Sequence, residues 1–95
     1  MEKALVMHEL DNTATAIDDL KRGWTVSILV GDKRMDVMLS DDVPFGHKFA
    51  IKPIARGDKV IKYGASIGLA TADISTGRHV HSHNLEGARG RGDKK

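Results

Sequence analysis

The sequence predicts an all-β domain, a compact, irregular barrel or clip of short strands. Three observations lead there. Ten glycines in 95 residues favour frequent tight corners. A phrase of the form A-x3-(L/I)-x2-G-x2-V occurs three times, over residues 16–26, 50–60 and 70–80. Segments rich in Val, Ile and Thr surround the copies, and such residues favour strands. The copies start 34 and then 20 residues apart, and unequal spacing argues against a solenoid of equal units. Each copy reads instead as one supersecondary unit. A strand ends at the Ala, a Leu or Ile plugs the turn, a Gly takes positive φ, and a new strand leaves through the Val.

In chain order, "MEKALVMHELDN" predicts an N-terminal strand carrying an isolated His8. "TATAIDDLKRG" has a weak helical pattern of about two turns, with Asn12 or Thr13 as N-cap, that Gly23 would stop. "WTVSILV" (24–30) and "MDVMLS" (35–40) predict strands joined by the turn signal "GDKR". Pro44 and Gly46 predict a rigid turn that sets His47 and Lys48 at the start of the next strand, with Asp41 and Asp42 as turn caps. "KVIKYG" (59–64) and "RHVHSH" (78–83) alternate in character, as half-buried strands do.

Composition narrows the functions. Cysteine is absent, which removes disulfides and thiolate chemistry and suits a reducing, cytoplasmic setting. No apolar run approaches the roughly 18 residues of a membrane span, and the acidic N-terminus does not read as a signal peptide. The formal charge is only +2, much of it from Arg89, Arg91, Lys94 and Lys95 near the C-terminus. Basic residues are not spread over a face among aromatics, so nucleic acid is not an expected partner. "RGD" at 91–93 is a chance match to an adhesion tripeptide, and "GARGRG" lacks the G-K-(S/T) ending of a phosphate loop.

His79, His81 and His83 stand at every second position. On an extended strand they share one face, where two imidazoles at i and i+2 reach a single divalent ion. A polar strand edge whose histidines bond only to water has the same spacing. His47 beside Lys48 pairs an acid–base group near neutral pH with a cation for a carboxylate. Lys62 could approach a ligand carboxylate, or lie along the surface beside a half-buried Tyr63.

Three segments in order, Asp41–Lys48, Gly57–Gly68 and His81–Asn84, resemble the N-terminal domain of the altronate and galactarate dehydratase family. That family carries D-D-(I/V)-P-x-G-H-K, then G-x-x-V-x-K-Y-G-x-x-I-G, then a terminal H-x-H-N. The resemblance implies a SAF-type β-clip fold, here residues 1–86; the composition of 87–95, rich in Gly and basic residues, predicts a flexible tail, mobile or ordered only against a neighbouring subunit. It implies a hydro-lyase that performs β-elimination on a hydroxylated sugar acid. His47 is then the catalytic candidate, Lys48, Lys62 and Asn84 bind substrate, and His81 and His83 hold a divalent metal. His79 falls outside the H-x-H-N and stays secondary. Family enzymes are mostly far longer, and some, the sulfolactate sulfo-lyases among them, are split into a small and a large subunit. The expected partner is therefore a large catalytic subunit, with room for self-association. The alternative is a non-catalytic module that binds ligand or docks to that partner.

Overall fold

The architecture follows from the corners. A computed structural model describes residues 3–87. In each copy of the phrase the Gly sits third in a four-residue turn, with the fourth N–H bonded to the first carbonyl. These bonds run from Trp24 to Lys21 at 3.1 Å, from Asp58 to Ala55 at 2.9 Å and from Arg78 to Ser75 at 3.1 Å. Gly23, Gly57 and Gly77 have φ of 89°, 89° and 92°, the values a type II turn demands at its third residue. The expected equivalence of the three corners holds. A fourth corner, not visible as a copy of the phrase, runs from Leu39 through Val43 and Gly46 to Phe49. Its Gly46 has φ 85° and its His47 N–H bonds to the Pro44 carbonyl at 2.9 Å.

The four corners associate in two pairs. Leu20 and Val43 exchange two backbone hydrogen bonds of 2.9 Å, and Ile54 and Ile74 exchange two of 2.9 and 2.7 Å. Around each exchange the glycine N–H groups bond reciprocally across the pair. Gly23 donates to Leu39 and Gly46 to Ala16, while Gly57 donates to Ala70 and Gly77 to Ala50, all at 2.8–2.9 Å. Carboxylates complete the corners: Asp42 accepts from Arg22 N, Asp19 from Phe45 N and Asp73 from Arg56 N, each at 2.9 Å. The plug residues Leu20, Val43, Ile54 and Ile74 are all buried, which pins each turn to a core.

Among the described residues nine strands leave these corners: β1 (Ala4–Leu5), β2 (Thr13–Ala16), β3 (Thr25–Val30), β4 (Lys33–Met38), β5 (Lys48–Ala50), β6 (Lys59–Lys62), β7 (Ala65–Ala70), β8 (His79–Val80) and β9 (Leu85–Gly87). They form three antiparallel sheets in the orders β1-β2-β5-β8, β3-β4 and β6-β7-β9. No helix occurs among the described residues, so the all-β class is correct. The cores are two. One gathers Leu20, Val26, Ile28, Val37, Leu39, Val43, Phe49 and Ile51, and the other Ala50, Ile54, Val60, Ala70, Ile74 and Val80. Strand β5 serves both, through Phe49 and Ala50.

Several local expectations need correction. The weak helical pattern over "TATAIDDLKRG" forms strand β2 instead. Thr13, Ala14 and Ala16 are buried between β1 and β5, and tertiary pairing overrides a pattern that short. Asn12 caps no helix: its side chain donates to Lys59 O at 2.9 Å and accepts from Ile61 N at 2.8 Å. His8 lies in a turn after β1 rather than on a strand. The strand expected at 78–83 stops at Val80. Gly87, assigned to the tail from sequence, pairs with Gly68 in β9, and the rest of that tail lies outside the described residues.

Candidate functional site

The site is assembled where the fourth corner meets β8. His47 is the last residue of the Pro44–His47 turn, and its carbonyl accepts the Ala16 N–H at 2.8 Å, which fixes its backbone to β2. His79 pairs with Phe49 of β5, and its N–H donates to Asp41 Oδ2 at 3.0 Å. His81 follows β8 directly. Asn84 then bends the chain: its N–H bonds to the His81 carbonyl at 3.0 Å, its Oδ1 accepts from His81 N at 3.0 Å, and its Nδ2 donates to His79 O at 2.9 Å. The Asn84 side chain is almost fully buried and both ends of its amide are spent on the backbone of the two histidines.

Three imidazoles converge as a result. His47 Nδ1 and His79 Nε2 lie 2.8 Å apart. The His47 and His81 rings stack with centroids 4.1 Å apart, well within the reach of one small ligand. One nitrogen from each of His47, His79 and His81 lies within 4.8 Å of the others. Three neutral nitrogens so placed suit zinc or a similar divalent ion, whose Zn–N bonds are about 2.0–2.1 Å, after a small inward adjustment. Burial, followed by the charges of His47 and its neighbours, lowers the pKa of His79, with Asp41 pulling the other way. The His81 pKa is lowered too, by burial first and then by His47, Lys48 and His83. Both shifts favour the neutral, ligating form of imidazole near pH 7.

The grouping differs from the one the spacing suggests. His81 shares its nitrogen cluster with His47 and His79, whereas His83 sits in the turn with its ring 5.3 Å from that of His79 and tilted by 39°. The reason is the strand end at Val80: past it the i, i+2 rule no longer governs which way a side chain points. His79, secondary in the motif reading, is one of the three imidazoles that the structure brings together. Its signal was present in the alternation of 79 with 81.

Lys48 and Lys62, the two lysines expected to bind substrate, lie on different strands. Lys48 follows His47 and pairs with Thr15 on one side and Val80 on the other. Lys62 ends β6, one residue beyond Ile61, whose carbonyl accepts bonds from Asn12 N at 3.2 Å and Thr13 Oγ1 at 3.1 Å. Both lysines are half-buried. Burial and then the nearby Lys62 charge lower the Lys48 pKa. The Lys62 ammonium also lies 5.0 Å from the centroid of the Tyr63 ring.

Fold and site together define a small all-β module that presents an imidazole cluster where the fourth corner meets β8. The chain matches the altronate/galactarate dehydratase SAF domain over residues 2–88, and it belongs to that family. It is 51% identical over 78 residues to altronate dehydratase of Escherichia coli (strain K12), covering 82% of this chain and 15% of that protein. It is 34% identical over 86 residues to altronate dehydratase of Bacillus subtilis (strain 168), covering 90% of this chain and 16% of that protein. With (2R)-sulfolactate sulfo-lyase subunit alpha of Chromohalobacter salexigens it shares 31% identity over 91 residues, covering 88% of this chain and 94% of the subunit. The chain thus spans about a sixth of the length of the altronate dehydratases, and nearly all of the sulfo-lyase subunit. It is a lyase-associated SAF domain. No helix among the described residues is long and apolar enough to cross a membrane.

Proposed function

We propose that this chain is the small subunit, or the N-terminal domain, of a lyase that eliminates the β substituent of a hydroxylated carboxylic acid, and that it works with a large catalytic subunit in the cytoplasm. One observation carries the site reading: His47, His79 and His81 offer three nitrogens within 4.8 Å of one another. In this reading they hold a divalent ion, which when bound supplies a Lewis acid for the substrate carboxylate or hydroxyl. His47, first expected as the acid–base group, becomes a ligand because its Nδ1 already faces His79. Lys48 and Lys62 bind the acid through charge-assisted hydrogen bonds. Asn84 and Asp41 act on the histidine backbone and keep the imidazoles in register. The base that removes the α proton belongs to the large subunit.

A second reading has support in the coverage: most of each altronate dehydratase lies outside the matched region. The domain would then bind the acid or close the site without taking part in the chemistry. Reconstitution separates the two. The catalytic reading expects His79→Ala and His81→Ala each to lower the activity of the two-subunit enzyme at least tenfold, about 1.4 kcal/mol of barrier. It also expects both to weaken zinc binding by the isolated chain in calorimetry. Full activity in both variants, or an unchanged rate when the chain is left out, rejects it.

A further inference from the structure

Tyr63 stands where a tyrosine is out of place. Lys62 and Ala65 pair across the β6–β7 hairpin, so Tyr63 and Gly64 are its two central residues. Their φ angles are 56° and 78°. Two positive φ angles in a two-residue hairpin loop are those of a type I′ turn, which favours Asn, Asp or Gly at its first central position. Tyr63 is the one non-glycine residue with positive φ among those described. Burial does not compensate, since Tyr63 is 53% exposed. The turn is braced from outside, as a strained backbone must be to persist. Buried Asp11 accepts Gly64 N at 2.7 Å through one carboxylate oxygen, and Met7 N and His8 N at 3.2 Å through the other. The His8 ring lies against Gly64, 2.8 Å from where a Cβ would stand.

The strained conformation has one visible product. Neighbouring residues on a strand point to opposite faces. The left-handed turn at Tyr63 breaks that alternation and brings its ring to the Lys62 ammonium, 5.0 Å from the centroid. A lysine is a compact charge on a flexible four-carbon stem, with three N–H donors. A carboxylate would hold it by spending its donors and its charge. A ring face restrains the stem and leaves the donors free for an anion. No carboxylate pairs with Lys62 among the described residues. We propose that Tyr63 is a positioning residue for Lys62: its ring, set by the turn that Asp11 braces, holds the ammonium ready for the acid. This rests on the reading of Lys62 as an acid-binding residue.

Tyr63→Asn is the test, because asparagine suits the turn and lacks the ring. A tyrosine kept for stability would give a lower urea midpoint on its loss. The proposal expects a midpoint at or above the parent's. It also expects the ring to shift the Lys62 ε-methylene protons upfield in the parent and in Tyr63→Phe. In Tyr63→Asn they should return to the position of a free lysine. Binding is read with gluconate, a hydroxylated monocarboxylic acid, titrated into the ¹⁵N-labelled chain at fixed ionic strength. Lys62→Gln and Tyr63→Asn should each weaken it about threefold or more, and Tyr63→Phe should keep it. The double variant Lys62→Gln/Tyr63→Asn should bind no more weakly than Lys62→Gln, since the ring acts only through the lysine. A lower midpoint in Tyr63→Asn overturns the proposal, as do ε-methylene shifts that stay at the parent's when the ring is gone. Additive losses in the double variant overturn it too, as does parental binding by Tyr63→Asn where Lys62→Gln binds weakly. If gluconate does not bind, or binds Lys62→Gln as well as the parent, the acid-binding reading of Lys62 falls by itself. The hold of Tyr63 on Lys62 is then judged by the midpoint and the methylene shifts.

Discussion

His47 Nδ1 and His79 Nε2, 2.8 Å apart, can share one hydrogen but not two, so at most one of the facing nitrogens is protonated. Acid therefore works against the folded site. His79 and His81 have pKa values below the ordinary 6.5, each through burial first and neighbouring charge second. The unfolded chain takes up these protons near pH 6.5 and the folded chain only at lower pH. Between those values the unfolded state binds more protons, so stability is greatest above about pH 6.5 and falls as the pH drops towards the folded pKa values. Urea midpoints should decline from about pH 7.5 to 5.5, and His79→Gln should flatten the decline. A midpoint that rises on acidification contradicts this account. At this scale the sequence was partly legible. His47 and His81 stood out by motif and do meet. The choice of His79 over His83 was hidden, because it depends on Asn84 ending the strand through a side-chain bond to His81 N.

At the scale of elements, the repeated corner is the unit of the fold, and its glycines are not equally replaceable. A Cβ on Gly23 would meet open space, so Gly23→Ala bears only the positive φ of 89°. That costs about 1–2 kcal/mol. Gly77 has the same conformation, but a Cβ there would collide with the Met38 carbonyl, which belongs to a neighbouring strand and cannot step aside. Gly77→Ala should therefore lose at least twice as much stability as Gly23→Ala in urea unfolding, with similar m-values. Equal losses would place the cost in φ alone. Three corners were readable because Ala, Leu or Ile, Gly and Val recur at fixed offsets. The fourth escaped because Leu39 stands where the others have Ala, Val43 replaces Leu or Ile, and Phe49 replaces Val.

For the molecule as a whole, β5 is the weak link and the join. Phe49 is fully buried in the first core, and Ala50, the next residue, lies in the second. Phe49→Ala should cost about 3–5 kcal/mol. That is a large part of the total stability of so small a domain, about 5–15 kcal/mol at most. The variant should show reduced near-ultraviolet signal and a midpoint shifted far towards low urea, and a midpoint within about 1 kcal/mol of the parent's would contradict the two-core description. The paired corners give this join a further meaning. Residues 16–49 close upon themselves, as do residues 50–80, each through its own reciprocal glycine bonds. His47 belongs to the first of these loops and His79 to the second, with His81 just past its end. Any ligand that grips His47 together with His79 is thus a clasp between two successive stretches of chain. Its binding energy is added to their docking, and a loosened junction shows first as lost affinity, before any strand has melted.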